Sequence, residues 1–166
     1  STPPFFMTSR SKKILPSYGK KANLFKPLIQ NIEVLTALIN SEPDKAEWLE
    51  KRAIAYLHQE KFSEALVDIS KVVQKEPTNQ SALSNMGVAL LKTNNHAHAR
   101  EIFEFLLELN PNSYEANLNL TTVYQCLGMP NEQIRSAMKA VELNPSSATA
   151  FNNLADRKST RLNSSH

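Results

Sequence analysis

Two histidines separated by one residue, His96 and His98, could start a metal site. No third ligand can be placed beside them, and residues two apart on a helix do not share a face. They read as two solvated imidazoles. Cys126, in the run Tyr-Gln-Cys-Leu, is the single cysteine, which excludes an internal disulfide and a cysteine-based zinc site. As a nucleophile it needs an oriented base, and none is in register with it, so a small half-buried residue is expected. Glu101, Glu104 and Glu108 are helical neighbours and read as a solvated acidic face beside Arg100. Three glycines, Gly19, Gly87 and Gly128, cannot assemble a phosphate-cradling loop. These residues supply no catalytic constellation, metal site or cofactor site. Asn85, Asn119 and Asn153 are different, because they recur every 34 residues. A primary amide can donate to a backbone carbonyl and accept from a backbone N–H at once.

The elements that carry them follow from the same period. Prolines stand at 43, 77, 111 and 145. Small residues recur at Ala53, Gly87, Thr121 and Ala155, and apolar ones at Tyr56, Leu90 and Tyr124 and at Val72, Leu106 and Ala140. Such a period describes a supersecondary unit that buries its apolar face by stacking on its neighbours. Each unit predicts two helices. Leu83, Met86, Val88 and Leu90 mark one over 82–92, and Ile102, Phe103, Leu106, Leu107 and Leu109 mark the other over 99–109. Thr93-Asn94-Asn95 and Gly128-Met129-Pro130 are the turns between paired helices. Each proline forces the residue before it (Glu42, Glu76, Asn110, Asn144) out of helical geometry. Asp44, Thr78-Asn79, Asn112-Ser113 and Ser146-Ser147 then offer N-cap side chains for the next helix.

This pattern resembles the tetratricopeptide repeat (TPR), a helix–turn–helix family of 34-residue units. Three full units match, 46–79, 80–113 and 114–147. They are flanked by a half repeat over 27–45, carrying Leu28, Ile29, Ile32, Leu35, Leu38 and Ile39, and by a truncated one over 148–155. The rival 35-residue RNA-reading helical repeats fit the period less well. The resemblance implies an all-α, right-handed α-solenoid of stacked hairpins whose first helices line a concave groove. It also implies close crossings of Ala53 with Ala65 and of Gly87 with Ala99. Gln133 departs from this pattern, standing in the slot of Ala65 and Ala99 while Ala137 replaces Ile69 and Phe103. A large polar residue is unfavourable at a tight crossing, so the third unit is expected to pack differently, with Ala137 leaving room.

On those inner helices the three asparagines would form a ladder that holds an extended peptide by its backbone. In this they are similar to the peptide-binding arm of O-linked N-acetylglucosaminyltransferases. The alternative is that asparagine is simply common at this slot of the family. The implied groove comprises Lys51, Ile54, His58, Ser84, Asn85, Val88, Leu118, Asn119, Thr122 and Asn153. Another branch of the family clamps a peptide's C-terminal carboxylate with lysines on these helices. Here Glu50, Ile54 and Glu115 replace the expected Lys, Asn and Lys, and two carboxylates would repel such a terminus.

Charge bears on the partner. The 166 residues carry a formal net charge of +3, but it is unevenly placed. Residues 1–26 hold six basic residues and no acid, and 156–166 hold three bases against Asp156. The body between them is net acidic. Nucleic acid is therefore the less favoured partner, since only the basic N-terminal segment, read as disordered, could meet phosphates. Residues 156–166 form a polar tail that breaks the apolar register after Ala155 and is expected to be foreign to the array. With no apolar run of membrane-spanning length, a cytoplasmic, non-catalytic protein-binding scaffold is expected. The alternative is the substrate-recruiting arm of a larger enzyme, such as a glycosyltransferase. The sequence specifies no oligomeric state.

Overall fold

The computed structural model describes residues 31–163. The basic segment 1–26 and the leading Leu28 and Ile29 lie outside the described residues. Those described form eight α-helices and no strand: α1 Ile32–Ser41, α2 Ala46–His58, α3 Phe62–Lys75, α4 Gln80–Lys92, α5 His96–Leu109, α6 Tyr114–Cys126, α7 Pro130–Leu143 and α8 Ala148–Asn163. The chain divides into two compact units between Pro77 and Thr78. The first holds α1–α3 and the second α4–α8.

Repeated local chemistry sets the helix ends. At Glu42, Glu76, Asn110 and Asn144, each preceding a proline, the backbone leaves helical geometry and its N–H closes the last helical bond, to Leu38, Val72, Leu106 and Ala140. Asn79 Oδ1 accepts from Ala82 N (2.9 Å), Ser113 Oγ from Ala116 N (3.2 Å) and Ser147 Oγ from Ala150 N (3.3 Å). These are equivalent N-caps of α4, α6 and α8, each contributing about 1 kcal/mol. The first unit departs from the expectation at Asp44. The cap of α2 is Lys45, with no side-chain cap bond. Lys45 instead pairs with Glu42 at 2.9 Å and lies 5.3 Å from the centre of a Trp48 ring.

The turns inside the hairpins repeat as well. Glu60, Asn94 and Gly128 have φ of 57°, 61° and 68°. After each, an N–H reaches back to the helix, from Lys61 to Tyr56 O, Asn95 to Leu90 O and Met129 to Tyr124 O, at 2.8–2.9 Å. With the bonds from the N–H of Glu60, Asn94 and Gly128 to Leu57, Leu91 and Gln125, at 3.0–3.2 Å, this is the Schellman C-cap.

In the first unit, Leu35, Leu49, Ala53, Ala65, Ile69 and Val72 are buried together with one charged residue, Asp68. Arg52 donates to both oxygens of Asp68, Nε to Oδ2 at 2.7 Å and Nη2 to Oδ1 at 2.8 Å. Its Nη1 donates to Thr36 Oγ1 at 2.9 Å, so one guanidinium joins α1, α2 and α3. The Asp68 hydrogen bond raises the Arg52 pKa further, outweighing the burial that lowers it.

In the second unit, Leu83, Gly87, Ala89, Ala99, Phe103, Leu106, Leu120 and Val123 are buried. Gly87 meets its neighbour more closely than its expected crossing with Ala99 implied. A Cβ placed there would lie 2.5–2.8 Å from three ring atoms of Phe103. The 34-residue register makes this one member of a size-matched series. Ala53 stands in register with Gly87 and Thr121, as Ile69 does with Phe103 and Ala137, and all six are buried. The smallest residue of one row falls in the unit with the largest of the other, and Thr121 in the unit with Ala137. Thr121 Oγ1 itself donates to Asn117 O at 3.1 Å.

Gln133 is buried, at 4% exposure, one helical turn from the equally buried Ala137. Gln133 Oε1 has no donor among the described residues. A buried acceptor left unpaired costs about 1–3 kcal/mol. Gln133→Met keeps the volume and removes that acceptor, so it is expected to raise stability by about 1 kcal/mol in urea unfolding.

α8 continues beyond Ala155 to Asn163. Residues 156–163 contain neither proline nor glycine, and loss of the apolar register does not interrupt backbone hydrogen bonding. Ala150 is buried and Phe151 is 59% exposed.

Candidate functional site

Asn85, Asn119 and Asn153 lie on α4, α6 and α8, all in the second unit, and all three are half-buried. Among the described residues, none of the three amides hydrogen-bonds to another group of the chain. Asn117 provides the contrast. It is buried and its Nδ2 donates to Ser113 O at 2.8 Å, which fastens it to its own helix. The two asparagines of α6 thus face different surroundings, one in the core and one half-buried.

Asn85 also lines a concavity of about 290 Å³, together with Gln80, Ser81, Ser84, Leu106, Ser113 and Glu115. It brings together Ser84 and Asn85 of the expected groove. Val88, Leu118, Asn119, Thr122 and Asn153 stand outside its lining. Val88 and Leu118 are half-buried, and Thr122 is exposed. Ser84 Oγ donates to Glu115 Oε1 at 3.0 Å, linking α4 to α6. The Tyr114 hydroxyl lies 2.6 Å from Ser147 Oγ, linking α6 to the cap of α8. Sequence reasoning noted Glu115 only as an obstacle to a carboxylate ligand and missed Gln80, Ser81 and Ser113. Their signal was available in their positions, in the first turn of α4 and at the cap of α6.

Lys51, Ile54 and His58 belong to the first unit, on α2. Lys51 donates to Glu47 Oε1 at 2.6 Å and lies 5.0 Å from the centre of a Trp48 ring, so its own helix engages its charge. Ile54 is half-buried and His58, the last residue of α2, is exposed. Trp48 Nε1 donates to Glu42 Oε2 at 2.8 Å. Glu50, the other acidic replacement, is half-buried.

The remaining chemical candidates fall out as follows. His96 is half-buried and His98 exposed, and among the described residues no three His, Cys, Asp or Glu side chains are grouped to hold a metal ion. Cys126 is the last residue of α6 and is exposed, not half-buried as expected. Glu101, Glu104 and Glu108 form an exposed face, with Arg100 Nε 3.7 Å from Glu104 Oε1. Glu104 also accepts from the Tyr124 hydroxyl at 2.8 Å, tying α5 to α6. Burial first, then this hydrogen bond, pushes the Tyr124 pKa well above its ordinary value and keeps the phenol a donor. Among the described residues, no helix is long and apolar enough to cross a membrane.

A family model described as tetratricopeptide repeat matches residues 56–114. Over 130 residues the chain is 30% identical to human Tetratricopeptide repeat protein 13, covering 76% of this chain and 15% of that protein. The chain belongs to the tetratricopeptide-repeat family. Among solved TPR-like structures, MamA (residues 41 to the end) from Desulfovibrio magneticus RS-1 has a TM-score of 0.77 at 22% identity, over 86% of each chain. The first TPR of Spaghetti (RPAP3), solved bound to the HSP90 peptide SRMEEVD, has a TM-score of 0.68 at 22% identity, over 71% of this chain and 94% of that one. At this identity both show the fold, which is the all-α class that the 34-residue period implied. The chain spans 12% to 23% of the length of three curated relatives it matches, so this TPR segment corresponds to a small part of each.

Proposed function

We propose that this chain is a non-catalytic TPR module that binds an extended peptide segment of a partner protein along the asparagine-bearing surface of α4, α6 and α8. One observation carries the reading: three amides spaced by 34 residues, half-buried and none engaged among the described residues. A partner backbone supplies the donors and acceptors that such amides lack. Val88 and Leu118 add apolar contact beside them. The TPR neighbour solved with a bound peptide supports the general mode of use. It does not carry over the peptide, because Glu115 stands where a terminal carboxylate would need a lysine. Recruitment of substrates to a larger enzyme uses the same surface and the same chemistry, and differs in what the remainder of the full protein does.

The test is affinity for a peptide selected against the chain. Replacing Asn85 and Asn119 together by alanine removes two amides without touching the core. Each lost hydrogen bond costs about 1 kcal/mol, so binding should weaken roughly 10- to 100-fold, measured by fluorescence anisotropy. Unchanged affinity contradicts the ladder.

A further inference from the structure

The concavity between the start of α4 and the start of α6 has a chemical character that the backbone-binding amides do not require. Its lining residues are Ser81, Ser84 and Ser113, Gln80 and Asn85, the buried Leu106 and Glu115, which bring hydroxyls, amides, one apolar side chain and one carboxylate. No lining residue is positively charged. Within the chain, Glu115 Oε1 is held by a neutral donor, Ser84 Oγ at 3.0 Å, and Glu115 makes no ion pair among the described residues. Many other described carboxylates have found a cation: Glu42, Glu47, Asp68, Glu104, Glu132 and Glu142 each lie within 4 Å of a lysine or arginine nitrogen.

From this we infer that the concavity is a specificity subsite for a basic side chain, a lysine or arginine, of the peptide whose backbone the asparagines hold. The inference rests on the peptide-binding reading above and adds a side-chain preference to it. A carboxylate fixed by one hydroxyl offers its second oxygen to an incoming ammonium or guanidinium. Charge-assisted bonds of this kind are roughly twice as strong as neutral ones. Asn85 Oδ1 and the serine hydroxyls can accept the remaining cationic N–H groups, and Leu106 lines the wall beside the aliphatic stem. A volume of about 290 Å³ is at the lower limit for small-molecule sites and suits a single side chain. The net acidic body between residues 27 and 155 favours the same sign of partner at longer range.

The experiment screens the full chain against a degenerate library of ten-residue peptides, N-acetylated and C-amidated so that neither terminus carries charge. Wild type, Glu115→Gln, Glu115→Lys and the Asn85→Ala, Asn119→Ala double variant are compared. Captured peptides are sequenced, and one is remade with arginine or glutamine at the enriched position. The wild type should enrich lysine or arginine at one position and bind the arginine peptide about tenfold more tightly than its glutamine twin. In Glu115→Gln that ratio should fall to near one, and in Glu115→Lys the enrichment should shift to aspartate and glutamate. The preference should also weaken as salt rises. A captured set without basic enrichment, or a ratio unchanged in Glu115→Gln, overturns the subsite. If binding then still depends on Asn85 and Asn119, the backbone ladder survives that failure. Absence of any capture by the wild type overturns both.

Discussion

Replacing Arg52 with alanine is expected to destabilise the chain by about 3–5 kcal/mol, the range found when one partner of a buried ion pair is removed. The size follows from what is left behind. Asp68 is 1% exposed, and both of its oxygens are held by the Arg52 guanidinium. Without Arg52 a carboxylate remains in the core with neither water nor a cation. Thr36 loses its donor at the same time. An exposed pair of the same composition would be worth only about 0–1 kcal/mol, so magnitude decides between the two descriptions. The pair is not thereby a net source of stability, since two charges had to leave water to form it. Arg52→Met with Asp68→Leu should recover most of the loss, because a well-packed apolar replacement is often neutral or stabilising. Urea unfolding of the two single variants and the double variant measures this. A loss below about 1 kcal/mol for Arg52→Ala would show that water reaches Asp68.

Gly87→Ala is expected to reduce stability by about 2 kcal/mol, although alanine is the better helix former. Helix propensity alone would favour alanine by about 1 kcal/mol. Against it stands a Cβ within 2.5–2.8 Å of the Phe103 ring, in a core where Phe103 is 0% exposed. Overpacking of this kind costs about 1–3 kcal/mol, occasionally more. The decisive feature is a reversal of sign. Phe103→Ile alone should cost stability by leaving a void beside Gly87. On that background, Gly87→Ala should become neutral or stabilising, because the pair then reproduces the Ala53 and Ile69 combination at the equivalent slots. If Gly87→Ala is equally harmful with either residue at 103, the two positions are not coupled and the size-matching account fails.

These two cases also mark how far the sequence could be read. The hairpins, the prolines that end them and the caps at Asn79, Ser113 and Ser147 all repeat every 34 residues, so one period exposed them together. Arg52 and Asp68 were invisible to that method because they do not repeat. The slots of Arg52 carry Met86 and Leu120, and those of Asp68 carry Ile102 and Ser136. A contact made once, across 16 residues, leaves no periodic trace. The tightness at Gly87 was legible, but the nearest atoms to a Cβ there belong to the ring of Phe103. The continuation of α8 to Asn163 escaped for the opposite reason. Periodicity reports where apolar groups stop being buried, whereas a helix stops where its backbone is interrupted.

The candidate site was legible in part. Recurrence marked Asn85, Asn119 and Asn153, while the same residue type at Asn117 carried no label telling core from surface. Lys51 looked available in one dimension and is engaged by Glu47 and Trp48 in three. Glu115 shares one concavity with Ser84, Ser113 and Asn85, a neighbourhood that separation along the chain hides.

The central claim is that the amides of α4, α6 and α8 hold a partner's backbone. Its most direct measurement is side-chain amide NMR of the ¹⁵N-labelled chain during titration with a captured peptide. The Asn85, Asn119 and Asn153 side-chain resonances should shift together along one binding curve, while that of the core residue Asn117 stays in place. Saturable binding that leaves all three unmoved and instead perturbs the exposed face of α5 around Glu101 and Glu108 would contradict the claim.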